Sequence, residues 1–299
     1  MISVIQFETV DYATGLRLQQ RLVELRKESR IGDVLLLLEH TPVITLGRNA
    51  KAKNILASSE LLAQRGVEVF ECDRGGDVTF HGPGQIVGYP IFDLRGFISP
   101  EGKRKTLGAI EYVRHLEDVL IRTCADFGIS AHRIPGFTGV WTIPVRVGTA
   151  ALDCAVEQSS TGASAPTTDE VGTGVLARPG RAKLGGAESK IAAIGVHISR
   201  AVTSHGFALN VSTDLGYFDL IVPCGIESKP VTSMERELGK QIALQDVAHS
   251  LARNFGAVFD SQILFLENLD ALLGEKLGVP MKPPSELREL HKEDKIFWA

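Results

Sequence analysis

A chain of 299 residues, 44% hydrophobic and 23% charged with a formal net charge of −4, carries enough apolar material for a full core. That balance excludes collagen, coiled coil and wholesale disorder, and argues against a general affinity for nucleic acid, which needs a concentrated positive field. The longest apolar run, Val34 to Leu38, falls far short of the ~20 residues of a membrane span, and the N-terminus meets Glu8 and Asp11 early, without a basic leader. A cytoplasmic protein with neither membrane nor nucleic-acid partner is expected.

In chain order, residues 14–27 place Leu16, Leu18, Leu22, Val23 and Leu25 in a helical pattern. Val34 to Leu38, apolar throughout, reads as a buried strand, and Val43 to Leu46, bracketed by Thr41-Pro42 and Gly47-Arg48, as another. Residues 58–65 resemble a capped helix stopped by Gly66, and Val67 and Val69 a strand running into a glycine-rich segment at 74–84. Leu107, Ile110, Val113, Leu116, Leu120, Cys124 and Phe127 recur at steps of three and four, predicting a helix over 106–127 with Cys124 as a core residue.

From Gly148 to Ser189, 26 of 42 residues are Gly, Ala, Ser, Thr or Pro, a composition that predicts a long flexible insertion. Gly172 to Ala177 fits a GxGxxA dinucleotide pattern there, but no strand precedes it and no apolar helix follows, so no cofactor site is assigned. Lys190 to Ile198 and Phe207 to Val211 read as strands joined by a turn around 199–206. Residues 244–255 and 263–274 suggest two helices, and the tail beyond Pro280 a loosely attached end.

Cys72, Cys124, Cys154 and Cys224 are widely spaced and never form CxxC, so neither a metal nor a redox site is expected. Three stretches carry the candidate chemistry. Arg74-Gly75-Gly76-Asp77-Val78-Thr79-Phe80-His81-Gly82-Pro83-Gly84-Gln85 holds four glycines in 11 residues, so a backbone can pass close to a ligand while Arg74 and His81 supply a fixed cation and a titratable donor. A tight turn between strands is the alternative. Lys190 opens the apolar run Ile191-Ala192-Ala193-Ile194-Gly195-Val196, where a lysine by itself more often snorkels to solvent. Cys224 sits between Pro223 and Gly225, in a turn.

In this order and spacing the three stretches closely resemble the octanoyltransferase family (lipoyl(octanoyl) transferase, lipoate biosynthesis protein B). RGGDVTFHGPGQIVGYP is similar to that family's signature, KIAAIGV to its lysine motif and PCGI to its cysteine motif, and the likeness runs from about Val34 to Phe259 through HTPVITLGR, GVWT, HGFALNV and KPVTSM. The 148–189 insertion departs from the family, which has a short connection there. The resemblance implies an α/β (α+β) fold, a mixed sheet flanked by helices as in biotin and lipoate protein ligases. It implies one catalytic domain over 1–260, interrupted by the insertion, with a C-terminal helix and tail over 261–299.

The implied reaction moves an octanoyl group from acyl carrier protein to a lysine of a lipoyl domain. The implied acceptors are the E2 subunits of 2-oxoacid dehydrogenases and the glycine cleavage H protein. Carried over by motif, Cys224 is the acyl-accepting nucleophile and Lys190 lowers its pKa. Arg74 to His81 (Arg74, Gly75, Gly76, Asp77, Val78, Thr79, Phe80, His81), Ala193, Ile194, Gly195, Gly206, Phe207 and Ala208 match substrate-binding stretches. Residue chemistry agrees: a free thiol titrates near ~8.5, and an adjacent ammonium favours the thiolate. Thioester exchange is nearly isoenergetic and thioester to amide is downhill, so neither ATP nor another cofactor is implied, in keeping with the absence of a GxxxxGK phosphate loop. The nearest rival is an ATP-dependent lipoate or biotin protein ligase, which needs no cysteine. A lipoyl-domain-binding relative without activity would need neither Cys224 nor Lys190, and a cysteine protease would need a His and Asn pattern that is missing.

Overall fold

The structure, a computed structural model, describes residues 1–97, 106–142, 188–225 and 229–273. Its elements run β1 (Ile2–Val10), α1 (Tyr12–Lys27), β2 (Asp33–His40), β3 (Val43–Leu46), α2 (Ser59–Gln64), β4 (Glu68–Glu71), β5 (Val78–His81), β6 (Gln85–Ile91) and α3 (Ala109–Asp126). They continue through β7 (Ala131–Ile134), β8 (Phe137–Thr142), β9 (Ser189–Ser199), β10 (Val202–Asn210), α4 (Met234–Leu238), α5 (Leu244–Val258), β11 (Ile263–Leu266) and α6 (Asp270–Leu273).

The apolar run of β2 explains the layering. Its side chains alternate, Leu35 and Leu37 entering the core under α3 and α5 while Val34, Leu36 and Leu38 enter the core under α1. A strand covered on both faces has no polar side, which is why the run is continuous. Each such buried aliphatic side chain contributes on the order of 1.5–3 kcal/mol. Around β2 forms a mixed sheet in the order β11-β1-β2-β6-β10-β9-β8-β7, parallel among β11, β1 and β2 and antiparallel beyond. A second sheet, β4-β3-β5, encloses a smaller core with Phe218, Leu220 and Ile221. Helix α1 starts at Asp11, whose carboxylate accepts the Thr14 amide at 2.9 Å. Cys124 is fully buried on α3, as its periodicity predicts.

Two expectations are corrected. The turn expected at 199–206 contains only Arg200 and Ala201, and β10 begins at Val202. Both turn residues have positive φ, 53° and 66°, the mark of a two-residue hairpin turn that glycine or asparagine usually makes. The helix expected at 263–274 is instead β11, which pairs parallel with β1, followed by the single turn of α6. An apolar run as short as Ile263 to Leu266 satisfies either period, and only a partner strand far away in sequence decides. The body of the 148–189 insertion with Gly172 to Ala177 and Cys154, and the tail beyond Pro280, lie outside the described residues. Among the described residues no helix is long and apolar enough to cross a membrane.

Candidate active site

Between the two sheets a cavity is walled on one side by Arg74, Gly76, Asp77, Thr79 and His81, and on the other by Ala193, Ile194 and Gly195 of β9 and Gly206, Phe207 and Ala208 of β10. Strand alternation divides β5. Thr79 and His81 face the cavity, whereas Val78 and Phe80 enter the small core, where Phe80 stacks on Tyr217 with ring centroids 4.6 Å apart. Gly75 meets β9 directly: its amide donates to Val196 O at 3.1 Å, and a Cβ on Gly195 would lie 2.7 Å from Gly75 O. That close approach is what the paired glycines allow.

Arg74, on the cavity wall, also braces the segment. Its guanidinium, 8% exposed, donates to Thr45 O at 2.7 Å, Thr45 Oγ1 at 2.9 Å, Asp77 O at 2.7 Å and Gly75 O at 3.1 Å, tying the glycine segment to β3. Asp77 continues the tie, accepting from Asn54 Nδ2 at 2.6 Å and from the amides of Lys51 and Val78 at 3.2 and 2.8 Å.

His81 is a neutral imidazole that carries its proton on Nδ1. Gln85 donates Nε2 to Phe80 O at 3.2 Å and to Asn210 Oδ1 at 2.8 Å, so its Oε1 accepts from His81 Nδ1 at 2.7 Å. Burial, helped by nearby His40, pushes the His81 pKa down to about 3. His40 is pushed down to about 4 by burial; its Nδ1 donates to Val10 O at 2.7 Å and its Nε2 accepts from the Tyr89 hydroxyl at 2.5 Å. Tyr12 closes this cluster, with ring centroids 5.2 Å from His40 and 6.3 Å from His81.

Both histidines titrate near 6.5 when unperturbed, so below that pH the unfolded chain binds protons that the folded one refuses. Stability is therefore complete above pH 6.5 and falls as pH drops toward 4 and 3. By pH 5 the loss is about 2 kcal/mol for each histidine. Urea unfolding followed from pH 7 to 5 is expected to show a steadily falling midpoint; a flat one would contradict neutral buried imidazoles.

Lys190 sits where β9 departs from β8. Its amide donates to Pro230 O at 2.8 Å and its carbonyl accepts from Thr232 at 2.9 Å, so the strand is strapped to the segment after the Cys224 turn. The residue is 7% exposed, with Nζ 5.2 Å from the Trp141 ring centroid. Gly139, at φ 122°, leaves it room: a Cβ there would lie 2.8 Å from Lys190 Cε.

Lys190 and Pro223 wall a second cavity that shares Thr79, Ala193 and Ala208 with the first. The backbone of Cys224 lies in the short 3-10 turn Pro223–Gly225, and its side chain lies outside the described set. That turn is tied to the glycine segment. Val222 N donates to Asn54 O at 2.8 Å, and a Cβ on Gly225 would lie 2.8 Å from Asp77 Oδ2. All three sequence stretches thus meet at one place.

A family model described as the lipoyl protein ligase A/B catalytic domain matches residues 11–256. An octanoyltransferase of Koribacter versatilis (strain Ellin345) is 53% identical over 294 residues, 98% of either chain. Another, from Acidobacterium capsulatum, is 52% identical over 277 residues, covering 92% of this chain and 97% of the relative. The chain belongs to the octanoyltransferase family. Octanoyltransferases are acyltransferases, so the enzyme class expected from the motifs stands. Among solved structures, a bi-partite lipoate protein ligase from Thermoplasma acidophilum superposes with TM-score 0.57 at 14% identity, over 89% of this chain and 86% of that one. A lipoate-protein ligase A bound with ATP gives 0.57 at 13% identity, over 89% and 87%. These likenesses establish the fold expected from the motifs, a mixed sheet flanked by helices.

The cavity of this octanoyltransferase family member draws further residues from the RGGDVTFHGPGQIVGYP and HGFALNV stretches, and one, Tyr12, from outside every motif. Tyr12, Val87, Tyr89 and His205 line the cavity, and Gln85 and Asn210 hold His81 in place. Tyr12 is merely the first residue of a helix, and nothing local foretells that α1 opens against the site. Among the described residues no group of three or more His, Cys, Asp or Glu is arranged to hold a metal ion.

Proposed function

We propose that the chain transfers an octanoyl group from the thioester of an acyl carrier protein to a lysine of lipoyl domains, through a thioester on Cys224. The observation that carries this reading is the joined pair of cavities, one walled by Lys190 and Pro223, the other by Val87, Ile194, Phe207 and Ala208. The first suits a reacting thioester. The second, apolar and closed in by small residues, suits its acyl tail.

The Cys224 thiolate attacks the donor carbonyl, the carrier thiol leaves and takes up a proton, and the octanoyl group remains as a thioester. The acceptor lysine, as a neutral amine, attacks that thioester; an amide forms and the Cys224 thiolate departs. Lys190 serves both halves, first as the ammonium that favours the thiolate and then, once the thiolate is consumed, as the base that takes the amine's proton. Backbone amides of the glycine segment or of the Cys224 turn are suited to hold the tetrahedral oxyanion.

An ATP-dependent ligase on the same fold is the second reading, favoured only by its structural relatives. Intact-mass measurement after incubation with octanoyl carrier protein, without ATP, separates the two. One octanoyl group on the enzyme, passing to a lipoyl domain when that is added, is expected; modification of the acceptor only with ATP and free octanoate would establish the ligase instead.

A further inference from the structure

Three hollows lie in a row along the β9–β10 hairpin. Beyond the Lys190 cavity and the central acyl cavity, a groove runs between α1 and the far end of the hairpin, with Leu16, Val23 and Val202 on its walls. Among the described residues, His205 is the one common to the walls of the central cavity and this groove. It is 3% exposed.

Its position is not what a regular strand dictates. Alternation would send residue 205 to the face of Leu209, which packs into the core under α3 and α5. A φ of 54°, rare for a side chain other than glycine, accompanies its place on the cavity wall. The surroundings hold it there: its amide donates to Gln19 Oε1 at 2.8 Å, and its Nε2 meets Asp73 Oδ1 at 2.7 Å. Asp73 in turn pairs with His197 at 2.6 Å.

We propose that His205, gripped by Asp73, is the end stop of the acyl cavity and limits the length of acyl chain the enzyme accepts. The proposal rests on the acyl-transfer reading above. From Ala208, where the two cavities join, to His205 is three strand residues, ~10 Å, about the length of an extended octanoyl tail. A longer chain must continue into the groove beyond, and the imidazole stands across that passage.

The test measures kcat/KM for octanoyl and dodecanoyl carrier-protein thioesters, with a lipoyl domain as acceptor, in the parent protein and in His205→Gly and His205→Asn. Glycine and asparagine both tolerate a positive φ, so either substitution removes the stop while sparing the backbone. The dodecanoyl-to-octanoyl ratio is expected to rise by about tenfold or more in His205→Gly and by less in His205→Asn. This ratio is internal to each preparation, so a general loss of stability leaves it unmoved. Should the glycine variant not fold, the asparagine variant decides. An unchanged ratio in a folded variant, with the parent transferring octanoyl, overturns the end stop alone. A parent that transfers no octanoyl group overturns the acyl-transfer reading, and the end stop with it.

Discussion

Replacing Cys224 by alanine is expected to lower octanoyl transfer by on the order of 10³-fold or more and to abolish the covalent mass shift of one octanoyl group. Cys124 and Cys72 are poor substitutes for physical reasons. Cys124 is fully buried on α3, and burial pushes its thiol up to about 12, so it forms almost no thiolate near neutrality. The Cys72 thiol donates to Leu46 O at 3.4 Å and stands on the wall of the groove beyond His205, away from Lys190. Alanine at Cys72 or Cys124 is therefore expected to leave the mass shift intact, although truncation at Cys124 opens a small core void. A Cys224→Ala protein that still gains one octanoyl group would remove Cys224 from the reaction.

Lys190→Met carries the second large effect. Methionine keeps the length and apolar stem of the lysine, so it fills the space beside Trp141 and Gly139, and what it removes is the charge. The sign follows directly. An ammonium near the thiol stabilises the thiolate and lowers the thiol pKa; without it the pKa rises and less thiolate is present at pH 7. Alkylation of Cys224 by iodoacetamide is expected to slow by about tenfold at neutral pH, with its pH midpoint moved upward by about one unit. Transfer is expected to fall further, by about 10²- to 10⁴-fold, because in the proposed mechanism the second half-reaction loses its base as well. An alkylation profile with an unmoved midpoint would leave Lys190 with packing alone.

Local pattern was enough for the parts of this protein whose causes are local. The five-residue apolar run of β2, the three-and-four spacing of α3 and the burial of Cys124 all follow from side-chain period, which neighbours in sequence carry by themselves. The glycine segment was also legible, because residues that pass close to a ligand or to each other must be small, whereas the lysine strand and the cysteine turn stood out only through their resemblance to the octanoyltransferase motifs. Pairing and enclosure were not legible. Whether Ile263 to Leu266 became helix or strand depended on β1, more than 250 positions earlier, and the β9–β10 turn closed on Arg200 and Ala201 because the flanking strands required it. Arg74 and His81 looked like ligand groups in the sequence. Only the tertiary structure showed that Arg74, on the cavity wall, also clamps Thr45 and that His81, on the same wall, is a neutral imidazole bonded to Gln85, since burial and partners set the charge of a side chain. The cavity itself arises where α1, β5, β6, β9 and β10 converge, and Tyr12 belongs to it by position alone.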